Sequence, residues 1–114
     1  PKEEEQMSSR AYYVQRYVEI ADGETESQII PFGDYRSGGY FIPDPFTGTT
    51  MHLQVSLDGE NFFPLCNDSG PVAATIGPGS AFPFPSGAAG FPFLRLSAGS
   101  SQQALRSIGV ATKS

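Results

Sequence analysis

The sequence predicts an all-β fold: an antiparallel β-sandwich of about seven or eight short strands, jelly-roll or immunoglobulin-like, with a small β-barrel as the alternative. Three observations predict it. Apolar residues alternate with polar ones at period two in several segments, and those segments are rich in Val, Ile, Tyr and Phe. Turn residues recur throughout, with 13 Gly and 10 Pro in 114 residues. No segment carries a credible helical stripe. The length fits one domain, expected over residues 11–114 behind a polar, acidic arm, "PKEEEQMSSR", at 1–10.

The elements follow in order. "AYYVQRYVEI" (11–20) alternates, with Tyr12, Val14, Arg16, Val18 and Ile20 on one face and Tyr13, Gln15, Tyr17 and Glu19 on the other. "ADGE" turns the chain at Gly23. "TESQIIPF" (25–32) reads as a short second strand, "GDYRSGG" (33–39) as a loop and "YFIP" (40–43) as a third strand fragment. Pro43 and Pro45 bracket a segment that cannot sit in a central strand. "TMHLQVSL" (50–57) is the clearest strand. It aims Met51, Leu53, Val55 and Leu57 one way and Thr50, His52, Gln54 and Ser56 the other, so a one-residue slip would turn all four apolar side chains into water. "DGEN" then folds it back onto "FFPLC", a strong hairpin signal whose Phe pair is expected to feed the interior.

"NDSGP" is another turn, "VAATI" (72–76) a short strand, and "GPGS" a breaker. "AFPFP" (81–85) and "GFPFL" (90–94) echo each other across "SGAAG", and their prolines hold both extended. "LRLSA" continues as a strand with Leu94 and Leu96 on one face, and "GSSQQ" reads as a polar connection. "ALRSIGVAT" (104–112) closes the chain, with Leu105, Ser107, Gly109 and Ala111 opposite Arg106, Ile108 and Val110.

Composition narrows the function. Net charge is −5, charged residues are only 17%, and the basic ones are scattered, so direct nucleic-acid binding is not expected. No apolar run reaches the ~20 residues of a membrane span, and the first ten residues lack the apolar stretch of a signal peptide. A single cysteine, Cys66, cannot pair within the chain and is expected to be a buried or half-buried bystander. His52, the one histidine, falls on a polar strand face. A Cys66–His52 nucleophile pair would need the fold to unite them, and neither a third orienting group nor an oxyanion motif accompanies them. Asp58, Glu60, Asn61, Asn67 and Asp68 supply oxygens, but without the spacing of a calcium loop; turn chemistry accounts for them. No catalytic residue, metal ligand or cofactor is therefore expected.

What remains is aromatic surface. Tyr13 and Tyr17 share a face with polar residues, while Phe82, Phe84, Phe91 and Phe93 sit in proline-rich segments. These six are the candidate partner contacts; alternatively, such rings plug the open ends of the sandwich. An exposed strand edge is a second route to a partner.

The series "PDPFTGTTMHLQVSLDG" (Pro43–Gly59), "FLRLSAG" (Phe93–Gly99) and a last strand with Arg106 resembles a family of small tailed-bacteriophage structural proteins. The likeness runs over about residues 17–112; "SAFPFPSGAAGFPF" and the acidic arm stand apart from it as local elaborations. The resemblance implies a non-enzymatic virion protein made in the bacterial host cytoplasm. On the virion it would be a cement or decoration protein on the capsid surface, holding the major capsid protein or copies of itself, as a homo-oligomer in the latter case. A neck or tail component, or a carbohydrate-binding module using Tyr13, Gln15 and Tyr17, is the alternative. The pattern assigns no binding residues.

Overall fold

The computed structural model describes residues 13–114; the acidic arm lies outside the described residues. The strands are β1 (Tyr13–Ile20), β2 (Ile30–Pro31), β3 (Ser37–Phe41), β4 (Thr50–Ser56), β5 (Phe63–Pro64), β6 (Cys66–Asn67), β7 (Gly70–Pro71), β8 (Ala73–Thr75), β9 (Ala81–Pro83), β10 (Phe93–Ala98) and β11 (Arg106–Lys113). Several are two-residue pieces, which is why they outnumber the expected seven or eight. They form the expected sandwich. Sheet A runs β1-β11-β3-β9 and sheet B runs β2-β10-β4-β5, with β8 also on β4; β6 and β7 make a separate hairpin. All the strand pairings among the described residues are antiparallel.

The inner faces obey the alternation. Sheet A buries Val18, Ile20, Tyr40, Ile108, Val110 and Thr112; sheet B buries Ile30, Met51, Leu53, Val55, Leu94, Leu96 and Ala98. Slipping β4 by one residue would expose Met51, Leu53 and Val55, at a cost of about 6 kcal/mol. Burial pushes the Tyr40 phenol up to about 12.

Three expectations about the strands need correction. The strand β3 begins at Ser37, inside the segment read as a loop. Its glycines are there for space: a Cβ on Gly38 would lie 2.5 Å from the Ala111 carbonyl oxygen and 3.1 Å from the Phe84 ring. Leu57 does not join the buried face of β4; the strand ends at Ser56 and Leu57 is 75% exposed. Phe63 points outward too, at 65% exposed, while Phe62 lies under the Arg95 guanidinium, 4.2 Å from ring centre to Cζ. Between the two Pro-Phe segments, "SGAAG" forms a short 3₁₀ turn, Ser86–Gly90, that buries Ala88.

One long side of the sandwich is stitched shut. The Ser27 N–H donates to the Leu96 carbonyl (2.8 Å), and its hydroxyl accepts from the Leu96 N–H (3.0 Å). On the other flank, Ser27 bridges Ile20 and the Gln28 N–H donates to the Glu19 carbonyl (3.0 Å). The segment 25–28 therefore joins β1 of sheet A to β10 of sheet B, a barrel-like corner within a sandwich. The opposite side, between β8 and β9, has no such stitch and opens into a cleft of about 240 Å³ lined by Tyr40, Met51, Val72, Ala74, Phe82 and Phe84.

Gln102, in the stretch read as a plain polar connection, is only 1% exposed. Its Oε1 accepts from the Thr47 N–H (3.0 Å) and from Arg106 Nε (3.3 Å), and its Nε2 donates to the carbonyls of Thr47 (2.8 Å) and Ser100 (3.1 Å). Its backbone N–H donates to the Glu24 carbonyl and its carbonyl accepts from Gly23. The side chain thus uses its full hydrogen-bonding capacity and ties three loops over one end of the core. Gln102→Ala strips both backbone groups of Thr47 of their partner and is expected to cost about 3 kcal/mol. Urea unfolding checks this; a loss under about 1 kcal/mol would mean that water replaces the amide without penalty.

Candidate functional site

Where the structure places the six candidate rings decides which of them a partner can reach. Phe84 is corrected to the core: it is buried, packs edge-on against Phe32 (5.7 Å between centroids) and meets Tyr40 at 5.5 Å. Phe82 is half-buried and stacks on Tyr40 at 5.9 Å. With Tyr35 beside Phe32, these rings fill the end of the sandwich away from Gln102. Phe93 is half-buried against the Asp58–Gly59 turn, and Phe91 is half-buried beside the core. Tyr17 is fully presented, at 75% exposed. Tyr13 begins β1, but its side chain lies outside the described residues.

Tyr17 has a companion that the sequence reading did not select. The register puts Tyr17 opposite Gly109, and Gly109 opposite Phe41. Phe41 is 52% exposed. A Cβ on Gly109 would lie 3.3 Å from Phe41 Cδ2 and 3.5 Å from Tyr17 Cε1, so both rings lean over the glycine from its two sides. The next row reads Gln15, Ala111, Gly39 and Pro83, and Ala81 extends the first. The middle of the outer face of sheet A is consequently aromatic and floored by small residues, with Gln15 in the neighbouring row and Glu19, Ser107 and Lys113 in the rows beyond. Alternation held the clue: with Tyr40 turned inward, Phe41 has to turn outward.

The outer face of sheet B is the opposite. It carries Gln54, Arg95, Ser97 and His52, half-buried, and the exposed Glu26. Arg95 donates from Nε to Gln54 Oε1 (2.8 Å) and pairs with Glu26 at 3.1 Å. This ion pair is partly exposed and worth little to stability.

A second apolar surface surrounds the Asp-Gly hairpin. Leu57, Phe63, Pro64, Leu65, Cys66 and Phe91 line a cleft of about 500 Å³ with Asp58 and Asn61 at its rim. Cys66 is exposed, not buried as expected, because the chain leaves β4 after Leu65 and pairs Cys66 with Pro71. His52 faces Ser97 and Ala73. Cys66 pairs with Pro71 instead, so the fold does not set His52 and Cys66 opposite each other in a ladder.

Asp58 is committed to its turn. Its Oδ1 accepts from the N–H groups of Glu60 and Asn61 and from the Ser56 hydroxyl, each at 2.9 Å, and its Oδ2 accepts from Asn61 Nδ2 at 2.7 Å. Those bonds, the backbone ones first, hold the carboxyl well below the usual carboxylate range. Asn67 caps its own turn through Ser69. Among the described residues no group of three or more His, Cys, Asp or Glu is placed to hold a metal ion, and no helix is long and apolar enough to cross a membrane.

Because the folded-state pKa of Asp58 is depressed, its stabilising contribution is present above its ordinary value of 3.8 and is lost as pH falls through the folded value. Asp58→Ala is expected to lower Tm at neutral pH, with the gap to the parent narrowing as the solution is acidified below pH 3.8. Thermal melts across that range check it; a gap that stays constant would show that the carboxylate's charge plays no part.

No family model matches the sequence, and no relative is found among curated proteins. Solved structures do resemble it. The SPBc2 prophage-derived protein YomS superposes with a TM-score of 0.65 at 13% identity, over 91% of this chain and 95% of that one. Looser likenesses, too distant to bear on function, are a Bacillus endospore-appendage pilus protein (0.49, 10%, over 91% and 87%) and a cupin domain from Bordetella pertussis Tohama I (0.41, 8%, over 93% and 83%). The chain shares its all-β fold with a prophage-derived protein, and at such low identity the likeness is one of architecture.

Proposed function

We propose that this protein is a non-enzymatic structural subunit of a bacteriophage particle, most specifically a capsid cement or decoration protein. It would sit on the outside of the head and tie neighbouring major capsid proteins together. The observation that carries the reading is the contrast between the middles of the two outer faces: sheet B holds the Arg95, Glu26 and Gln54 cluster, whereas sheet A offers the exposed rings of Tyr17 and Phe41 over Gly109. Aromatic rings on a rigid support bury area at little entropic cost, as an interface core requires. The architecture shared with the prophage-derived YomS supports a phage setting. The mechanism is physical: many copies, each held by a modest apolar contact, stiffen a lattice through multivalency.

Cosedimentation with purified heads lacking this protein tests the proposal. The parent protein is expected to pellet with the heads, and the Tyr17→Ser, Phe41→Ser pair to weaken binding at least about tenfold. Protein that stays in the supernatant would remove the cement reading; undiminished binding by the double variant would move the contact off sheet A.

One observation favours a second reading, a carbohydrate-binding module of a tail structure. Gln15 stands next to the Tyr17–Phe41 pair on the same face, a hydrogen-bonding amide beside rings on which a pyranose can stack. Titration with host polysaccharide is then expected to perturb Tyr17 fluorescence, and Phe41→Ala to abolish the change. A flat titration would discard this alternative.

A further inference from the structure

The strand edges of this sandwich are not equally protected. Edge strands invite pairing with other chains, and proteins blunt them with proline or by keeping them short. Here β2 ends in Pro31, β5 in Pro64, β7 in Pro71 and β9 in Pro83, and β8 has three residues. The strand β1 is different: eight residues at the margin of sheet A, with no proline.

Hydrogen-bond parity shows which of its groups are available. In an antiparallel ladder alternate residues direct both backbone groups toward the same neighbour. The Glu19 carbonyl and N–H point away from β11, since both are taken by Gln28. Two residues at a time down the strand, Tyr17, Gln15 and Tyr13 point the same way. Beyond Glu19 the corner at Gln28 closes the edge; from Tyr17 down, no described residue is paired with it.

We propose that this edge pairs with the same edge of a second copy, antiparallel about a two-fold axis centred on Gln15. The set Tyr13, Gln15, Tyr17 is symmetric about its middle member. Gln15 of one copy therefore faces Gln15 of the other, and Tyr17 faces Tyr13. Each facing pair exchanges two backbone bonds, about six in all. Because β9, the other margin of sheet A, is capped by Pro83, head-to-tail growth into a filament has no acceptor strand, and the association closes as a dimer. Among the described residues from Tyr17 down this edge, Arg16 is the one charge, and it alternates with Gln15 and Tyr17, whose backbone groups point outward. Pairing would join two four-stranded sheets into one of eight strands and set two Tyr17–Phe41 surfaces side by side. The inference stands apart from the virion reading, since it concerns the chain alone.

Sedimentation of the 114-residue chain tests it without any phage component. The weight-average mass is expected to rise with concentration from 12.2 kDa toward twice that value. Gln15→Pro deletes an outward N–H that the chain's own ladder does not use, so it should keep its β-sheet spectrum yet remain at the monomer mass. Gln15→Lys and Gln15→Glu, each facing itself across the axis, should also be monomeric, and an equimolar mixture of the two should recover the dimer. A parent chain that is monomeric at every concentration, or a dimer indifferent to all three substitutions, would overturn the proposal.

Discussion

The carboxamide of Gln102 is the constraint on which one whole end of the molecule depends. Three connections meet there: the turn after β1, the loop before β4 and the segment between β10 and β11. None has enough apolar residues to build a lid of its own, although Phe46 is buried among them. A buried amide is costly unless every donor and acceptor is matched, and here all are. The match is also geometric. Thr47 presents its N–H and its carbonyl together, and only a side chain bearing both a donor and an acceptor answers them at once. Arg106 then braces the arrangement through Gln102 Oε1 and Thr47 Oγ1.

Much of the sandwich was legible in the sequence, and what was legible shares a cause. In β4, β10 and β11 side chains alternate between oil and water over enough residues that only one register buries the apolar set. The hairpin at Asp58–Gly59 was legible because its turn is satisfied locally. What escaped is set by tertiary contact. Gly38 and Gly39 resemble loop residues until the Phe84 ring and the neighbouring strands demand the room their missing side chains provide. Leu57 faces solvent because β4 ends one residue earlier than the hydrophobic pattern does, and Cys66 because it pairs with Pro71 in a separate hairpin. Gln102 gave no sign, since burial of a glutamine depends on partners 55 residues away. Of the candidate surface, Tyr17 was found from alternation, while Phe41 was hidden in a fragment too short to show a phase.

The molecule presents its surfaces unequally. The polar side of sheet B spends its charges on itself, in the Arg95, Glu26, Gln54 and Phe62 cluster. The middle of sheet A's outer side is small or aromatic, with Tyr17 and Phe41 leaning over Gly109. The cleft beside Phe63 adds a recess at one end. Such a distribution suits a protein that is handled by others from one direction, with the remaining surface kept indifferent.

The stitch at Ser27 has a mechanical corollary. A sandwich fastened along one long margin and unfastened along the other behaves like a bound volume: its leaves part at the fore-edge and hold at the spine. Small-amplitude breathing should therefore concentrate between β8 and β9, while Ile20, Ser27 and Leu96 stay fixed. A load carried through the spine would be borne in shear by interlocked backbone, whereas one drawn across the fore-edge would unzip it bond by bond. Orientation on any larger assembly thus decides how much tension this small body withstands.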